Sequence, residues 1–305
     1  MNSTWELILQ QTVNGLISGS FYALVALGYS MVYGIVKLLN FAHGDIYMTG
    51  AFVCLSVFGI LTSFLSGWAG IAIAILGAMV VTALLGWTVQ RLAYRPLLGA
   101  PRLSLMITAI GVSLIISNAA MLITKSRPSF FHSGLSDTTG ISIGNVKITY
   151  VRLVLLGLSA AAMIGLTLFV NRTKTGRAMR AISMDQDTCR LMGVNVKSVI
   201  GVTFMIGSAL AAVAGGMACV QYGTISYNMG YLIGIKAFSA AVIGGIGSIP
   251  GAMLGGLLLG LLEAFGTQIP FIGSQWKDVF AFGLLIFILI FRPNGLLGKT
   301  TIERM

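Results

Sequence analysis

The chain has 305 residues, 56% of them hydrophobic and 9% charged, and carries a net charge of +11. A soluble domain holds about 25% charged residues and could not cover the surface of a chain this apolar. The basic excess falls in short stretches between apolar runs, the pattern of the positive-inside rule, and does not point to nucleic acid.

Apolar segments long enough to approach ~30 Å of hydrocarbon lie near 11–36, 45–65, 68–90, 103–124, 151–171, 199–221, 230–247, 250–270 and 275–292. They predict an all-α, polytopic transmembrane bundle of eight or nine spans, forming one permease domain over residues 1–305. The start, Met1 to Glu6, lacks the basic region of a cleaved signal peptide, so the first span is expected to insert uncleaved with Trp5 as an interfacial anchor.

Between the first two spans runs Asn40-Phe41-Ala42-His43-Gly44-Asp45. Its place is expected at or near the cytoplasmic boundary. Two readings stand. Asn40 and Asp45 cap helices and His43 packs as a polar residue, or the segment is a polar gate in a solute pathway.

Arg91, Arg95 and Arg102 follow the third span. Beyond the fourth comes the longest non-cytoplasmic connection, 125–150, in which Ile141 to Ile148 alternates apolar and polar residues around Gly144-Asn145. That pattern is a small β-hairpin with a two-residue turn. His132, in the same connection, is expected to be solvated.

The loop 172–198 is the richest in basic residues: Arg172, Lys174, Arg177, Arg180, Arg190 and Lys197. With Lys37, the arginines after the third span, and Arg292, Lys299 and Arg304, one side holds thirteen of nineteen basic residues. Lys125, Arg127, Lys147 and Arg152 sit on the other. The first side is therefore the expected cytoplasm. Within this loop Asp185 to Gly193 reads as a short helix. Asp185 is the N-cap, Asp187 suits the first turn, Arg190 the last, and Gly193 the stop. Met184, Thr188, Leu191 and Met192 share one face. A helix this short needs a cover, either the chain's own span ends or a cytoplasmic partner.

The segment 230–247 is short, glycine-rich and contains Lys236, so it is a candidate for a broken or re-entrant span. Lys236 and Glu263 fall on neighbouring predicted spans and are expected to pair, whereas Lys277 and Asp278 are expected near an interface. Gly247, Gly251 and Gly255 are spaced by four, as are Gly256 and Gly260 on the adjacent face. Gly15 with Gly19, and Ala211 with Gly215, repeat the device. Such spacing lets helix backbones approach closely, within the subunit or between subunits. Pro250 fits the first turn of its helix.

Asn294 to Thr300 superficially resembles a phosphate-binding loop. Its glycines have the wrong spacing, Pro293 stands where the first glycine is required, and only five residues follow Thr300. Nucleotide binding by this chain is rejected. Cys54, Cys189 and Cys219 are too far apart for a metal motif. A membrane enzyme would need a nucleophile–base set or metal cluster that these residues do not supply.

Taken in order, several segments are similar to the LivH-type permease subunit of branched-chain amino-acid ABC importers. They are Asn14-Gly15 through Ser30 to Gly34, Asn40 to Asp45, Arg91 to Pro96, Gly176 to Arg180, Leu191 to Asn195, and Lys236 to Phe238 through Gly244 to Ala252. One departure is Asp45, where many relatives are expected to carry glutamate. The resemblance implies a multi-pass subunit of a bacterial inner membrane, working with a second related permease, two cytoplasmic ATP-binding subunits and a periplasmic amino-acid-binding protein. ATP would bind those partners, and this chain would hold no cofactor and no catalytic site. Arg180, Asp185, Asp187, Leu191, Met192 and Gly193 would belong to the coupling region. Asn40, His43, Asp45, Lys236 and Glu263 are the candidates for the pathway. Urea, amides or other amino acids are alternative solutes. A proton-coupled secondary transporter using Asp45, Glu263 or His43 is the rival mechanism.

Overall fold

A computed structural model describes residues 4–62, 67–97, 99–132, 140–143, 146–268 and 273–298. Every predicted apolar segment falls on a helix: α1 Thr4–Val36, α2 His43–Leu61, α3 Trp68–Val89, α4 Arg102–Thr124, α5 Tyr150–Arg172, α8 Val196–Tyr222, α9 Met229–Gly244, α10 Ile249–Gly266 and α11 Lys277–Phe291. Between α5 and α8 lie two shorter helices, α6 Lys174–Met184 and α7 Gln186–Leu191. Among the described residues seven helices are long and apolar enough to cross a membrane, and the chain is a multi-pass membrane protein. The segment in doubt, α9, is a continuous helix of 16 residues. At 1.5 Å per residue it spans only ~24 Å, short of the hydrocarbon thickness.

Close backbone contact organises the interior. A Cβ on Gly256 would fall 2.4 Å from Ala23, and one on Gly260 would fall 2.2 Å from Gly19, so α1 and α10 touch antiparallel along both stripes. Gly251 and Gly255 meet α9 instead, at Gly244 and Ala240. The adjacent glycine faces of α10 therefore serve two neighbours inside one subunit. Gly247, spaced with Gly251 in sequence, is not on the helix. It lies in the α9–α10 turn at φ +89°, beside Gly34. Ser248 caps α10 through the Gly251 N–H, with Pro250 in the first turn. Gly215 sets α8 against α2 at Tyr47 and Ala51. The outer helix α4 by contrast leaves Leu103, Ile107, Ile115 and Ile123 exposed.

Small strands gather at the end remote from α6 and α7. β2 Gly140–Ile143 pairs antiparallel with β3 Val146–Thr149, leaving the two residues of the predicted turn, Gly144 and Asn145, outside the described residues. A second pair was not anticipated: β1 Ser129–Phe130 lies antiparallel to β4 Thr224–Ile225, tying the α4 exit to the α8 exit. His132 is exposed.

The tail after α11 turns back on the bundle. The Leu296 and Leu297 N–H groups donate to the Ile243 and Gly244 carbonyls, ending α9. Backbone donors that a phosphate loop would aim at a ligand are thus spent on a helix terminus. Lys299 and Thr300 lie outside the described residues.

Candidate functional site

The segment from Asn40 to Asp45 does not lie at the end of the bundle. α1 runs on to Val36, the chain reverses at Lys37 (φ 57°), and residues 38–42 re-enter before α2 starts at His43. The His43 ring reaches the backbone of Val25 and stands against Gly28, well inside the length of α1. The α2 N-terminus thus opens inside the protein. α9 starts beside it: Gly230 and Gly234 meet Gly44 at backbone contact. Two helices begin at one level, and all three glycines are needed for them to approach.

Neither polar residue of this segment caps a helix with its side chain. The N-cap of α2 is Ala42, without a side-chain bond. Asn40 accepts a hydrogen bond from the Tyr94 hydroxyl at 2.8 Å, and its Nδ2 has no partner. Asp45 Oδ2 accepts from the Ser113 hydroxyl, anchoring α4 to α2. His43 is buried edge-on to Tyr29, ring centroids 5.0 Å apart, and its Nε2 makes no hydrogen bond. The capping account fails because the side chains point across the bundle to other helices, a choice that local spacing cannot reveal. Unpaired buried polar atoms are costly, and here they cluster where two helices start.

The second polar group is ionic. Lys236 Nζ lies 3.0 Å from Glu263 Oε1 and 2.7 Å from Asp278 Oδ1, so the predicted pair exists and Asp278 completes it. Asp278 is therefore not merely interfacial, as sequence position had placed it. Tyr22 donates to Glu263 Oε2 at 2.8 Å, and its ring lies 5.8 Å from the ammonium. The cluster binds α1, α9, α10 and α11 at one point. Two carboxylates and a ring face remove most of the cost of burying one ammonium. Sequence reasoning missed Tyr22, Tyr29, Tyr94 and Ser113. Tyrosine inside an apolar span carries a polar tip that must find a partner, and that signal was available.

The third region is the α5–α8 connection. The helix expected from Asp185 is α7, with Asp185 accepting from the Asp187 and Thr188 N–H groups. Arg190 pairs with Asp187 at 3.0 Å. Gly193 takes φ +80°, the left-handed stop that suits glycine. The preceding helix α6 was not foreseen. Thr173 caps it through the Gly176 N–H, and Arg180 donates to Asn171 at its base. On α7, Cys189 turns inward, whereas Leu191, the following Met192, and Met184 at the end of α6 are 88%, 80% and 90% exposed. Gln186 holds the unit to α1 by donating to the Ile35 carbonyl at 3.0 Å. The result is a fixed apolar knob that the described residues do not cover.

A multi-pass helical bundle with helices starting in its interior and an uncovered cytoplasm-type knob has the organisation of a transport subunit rather than a membrane anchor. The chain belongs to the branched-chain amino acid transport system permease component family, whose family model matches residues 11–289. It is 46% identical to the high-affinity branched-chain amino acid transport system permease protein BraD of Pseudomonas aeruginosa, covering 97% of this chain and 98% of that one. It is 41% identical to the corresponding LivH protein of Escherichia coli over the full length of both. The LivM permease of Escherichia coli is 26% identical, over 92% of this chain and 68% of its own.

Proposed function

We propose that this chain is a permease subunit of an ATP-driven importer of branched-chain amino acids in a bacterial inner membrane. It works with a second permease, two cytoplasmic ATP-binding subunits and a periplasmic binding protein. The observation that carries the reading is the exposed apolar face of α7. This six-residue helix, capped at both ends and pinned to α1, presents Leu191 and its C-cap Met192 to something outside the subunit, beside Met184 at the end of α6. That face suits an ATPase groove, as an amphipathic helix suits a hydrophobic cleft. The basic residues concentrated in the same connection put this end in the cytoplasm.

The substrate class follows from relatives that match over nearly the whole chain. Transport proceeds by alternating access. Nucleotide hydrolysis on the partners moves α6 and α7, and Gln186 passes the displacement to α1, against which α8 and α10 are packed. The junction of α2 and α9 is the candidate gate, because helices that start within a bundle leave N–H groups free for a carboxylate. ATP is held by the partner subunits, and this chain uses no cofactor.

Co-reconstitution tests the reading. Leucine uptake into proteoliposomes requires ATP and the ATPase subunits, and Leu191→Glu abolishes it while the protein still inserts. Uptake by this chain alone under a proton gradient refutes the assignment in favour of secondary transport.

A further inference from the structure

α3 does not end as an ordinary helix. Pro96 cannot donate to the carbonyl four residues back and its ring crowds that turn. The helix widens over Gln90–Tyr94 into a π-helix, with the Arg95 N–H bonded to the Gln90 carbonyl. Widened turns of this kind frequently mark functional sites. Here the turn swings Gln90, Arg91 and Arg95 toward the start of α8. Between the two elements is a cavity of about 230 Å³ lined by these three residues, Trp87, Lys197 and Gly201, among others.

The lining has a consistent chemistry. Three cations face the cavity without a carboxylate, and none of them forms a salt bridge among the described residues. Gln90 is 3% exposed and its Nε2 donor has no partner. The first turn of α8, capped by Asn195, opens on the same space and adds the positive end of a 27-residue helix. Gly201 faces the space: a Cβ there would stand in ordinary contact, 3.5 Å from both Gln90 Oε1 and Trp87 Cδ1, and a longer side chain would fill it. Arg91 stacks over the Trp87 ring at 4.9 Å, which fixes its guanidinium at the rim. A tetrahedral anion with several acceptor oxygens matches this donor set.

Two sources could supply that anion, free phosphate or a lipid head group. The surroundings favour lipid. The outward face of α3 below the cavity is apolar and exposed at Leu76, Val80, Val81 and Leu84. Trp87 stands where that face meets the basic rim, the position of an interfacial tryptophan. Basic pockets between membrane helices bind anionic head groups in this way.

We propose that the cavity between the widened end of α3 and the start of α8 binds the phosphate of an anionic phospholipid, with its acyl chains along α3. The seat touches the transport machinery: Tyr94, in the same π-turn, donates to Asn40 and packs on Phe204 of α8 at 5.2 Å.

The test uses the full chain, purified in nonionic detergent and delipidated. Its melting temperature is followed against phosphatidylglycerol with two eight-carbon chains, the matching phosphatidylcholine, and inorganic phosphate. Phosphatidylglycerol raises it saturably, at a concentration roughly tenfold below that for phosphatidylcholine. Arg91→Gln combined with Lys197→Gln raises the half-saturating concentration by roughly tenfold. Gly201→Leu, which fills the cavity at unchanged charge, does the same and guards against a general charge effect. Equal responses to the two lipids overturn the proposal. So does loss of affinity in the charge variant with none in Gly201→Leu. A response to inorganic phosphate equal to that for phosphatidylglycerol overturns the lipid source and assigns the cavity to free phosphate.

Discussion

Lys236 and Arg190 each hold a carboxylate at 3.0 Å, and there the likeness between the two ends of the molecule stops. The Lys236–Glu263 pair has side chains 10% and 5% exposed, while the Arg190–Asp187 pair has 53% and 86%. Lys236 and Glu263 are withdrawn from water, and the cluster they form with Asp278 and Tyr22 ties four helices together. Around Arg190 water competes with the pair, and the adjacent Leu191 and Met192 point outward. The same contact thus locks one region and merely trims the other. A transport subunit needs both: a bundle that moves as packed units, and a knob that another protein can push.

The sharpest way to break this contrast is to remove one partner from the buried cluster. Lys236→Met leaves Glu263 and Asp278 without their cation and costs about 3–5 kcal/mol, read as lost folded protein and a lower melting temperature. Adding Glu263→Gln recovers a large part of that loss. A double variant no better than the single one would show that the cluster acts by shape and not by charge.

Next comes the crowded junction. A Cβ on Gly28 would overlap the tip of the His43 ring, so Gly28→Ala forces the imidazole aside at about 1–3 kcal/mol. His43→Ala in the same chain relieves the clash, and a double-mutant cycle reads the coupling. Additive losses would separate the two residues and remove His43 from the junction.

The exposed end gives the smallest effects on stability. Asp187→Asn changes the melting free energy by no more than about 0.5 kcal/mol. Asp185 is held below the usual carboxylate range by the Thr188 hydroxyl, and then by the Thr188 and Asp187 N–H groups. A carboxylate lowered in the folded state gives a cap that is fully present above its ordinary pKa and is lost as pH falls through the lowered value. The protection of the Asp187 and Thr188 amides, taken relative to their intrinsic exchange rate at each pH, should therefore hold from neutral pH into the mild acid range and fall below it. Protection already lost near neutrality would contradict the cap.

Much of this was legible in the chain because the relevant signals are local. Apolar length marked each of the nine apolar helices among the described residues, though not α6, and the Asp185-to-Gly193 spacing marked α7 with both its caps. Lys236 and Glu263 were paired on cost alone, since a lone charge in an apolar span needs a counter-ion. What escaped depends on where helices start relative to one another. The re-entry after Lys37 moved Asn40, His43 and Asp45 from an expected boundary into the interior. Nothing in their spacing specifies that depth, which is set by Gly44 meeting Gly230 and Gly234, 186 and 190 positions further along the chain. Asp278 stands near the start of α11 and half exposed, as expected of an interfacial residue, but its contact with Lys236 depends on how α11 lies against α9 and was not legible. The widened turn at Gln90 had a readable cause in Pro96, yet its consequence for the α3–α8 gap needed coordinates.

The proposed docking of an energy-supplying partner on Met184, Leu191 and Met192 rests on their exposure. The most direct measurement is ATP-dependent leucine uptake by the co-reconstituted subunits, with Leu191 as found and as Leu191→Glu, alongside the melting temperature of each chain. With a partner docked there, the variant loses uptake at an unchanged melting temperature, and the ATPase no longer copurifies with it. Undiminished uptake by Leu191→Glu would contradict the docking.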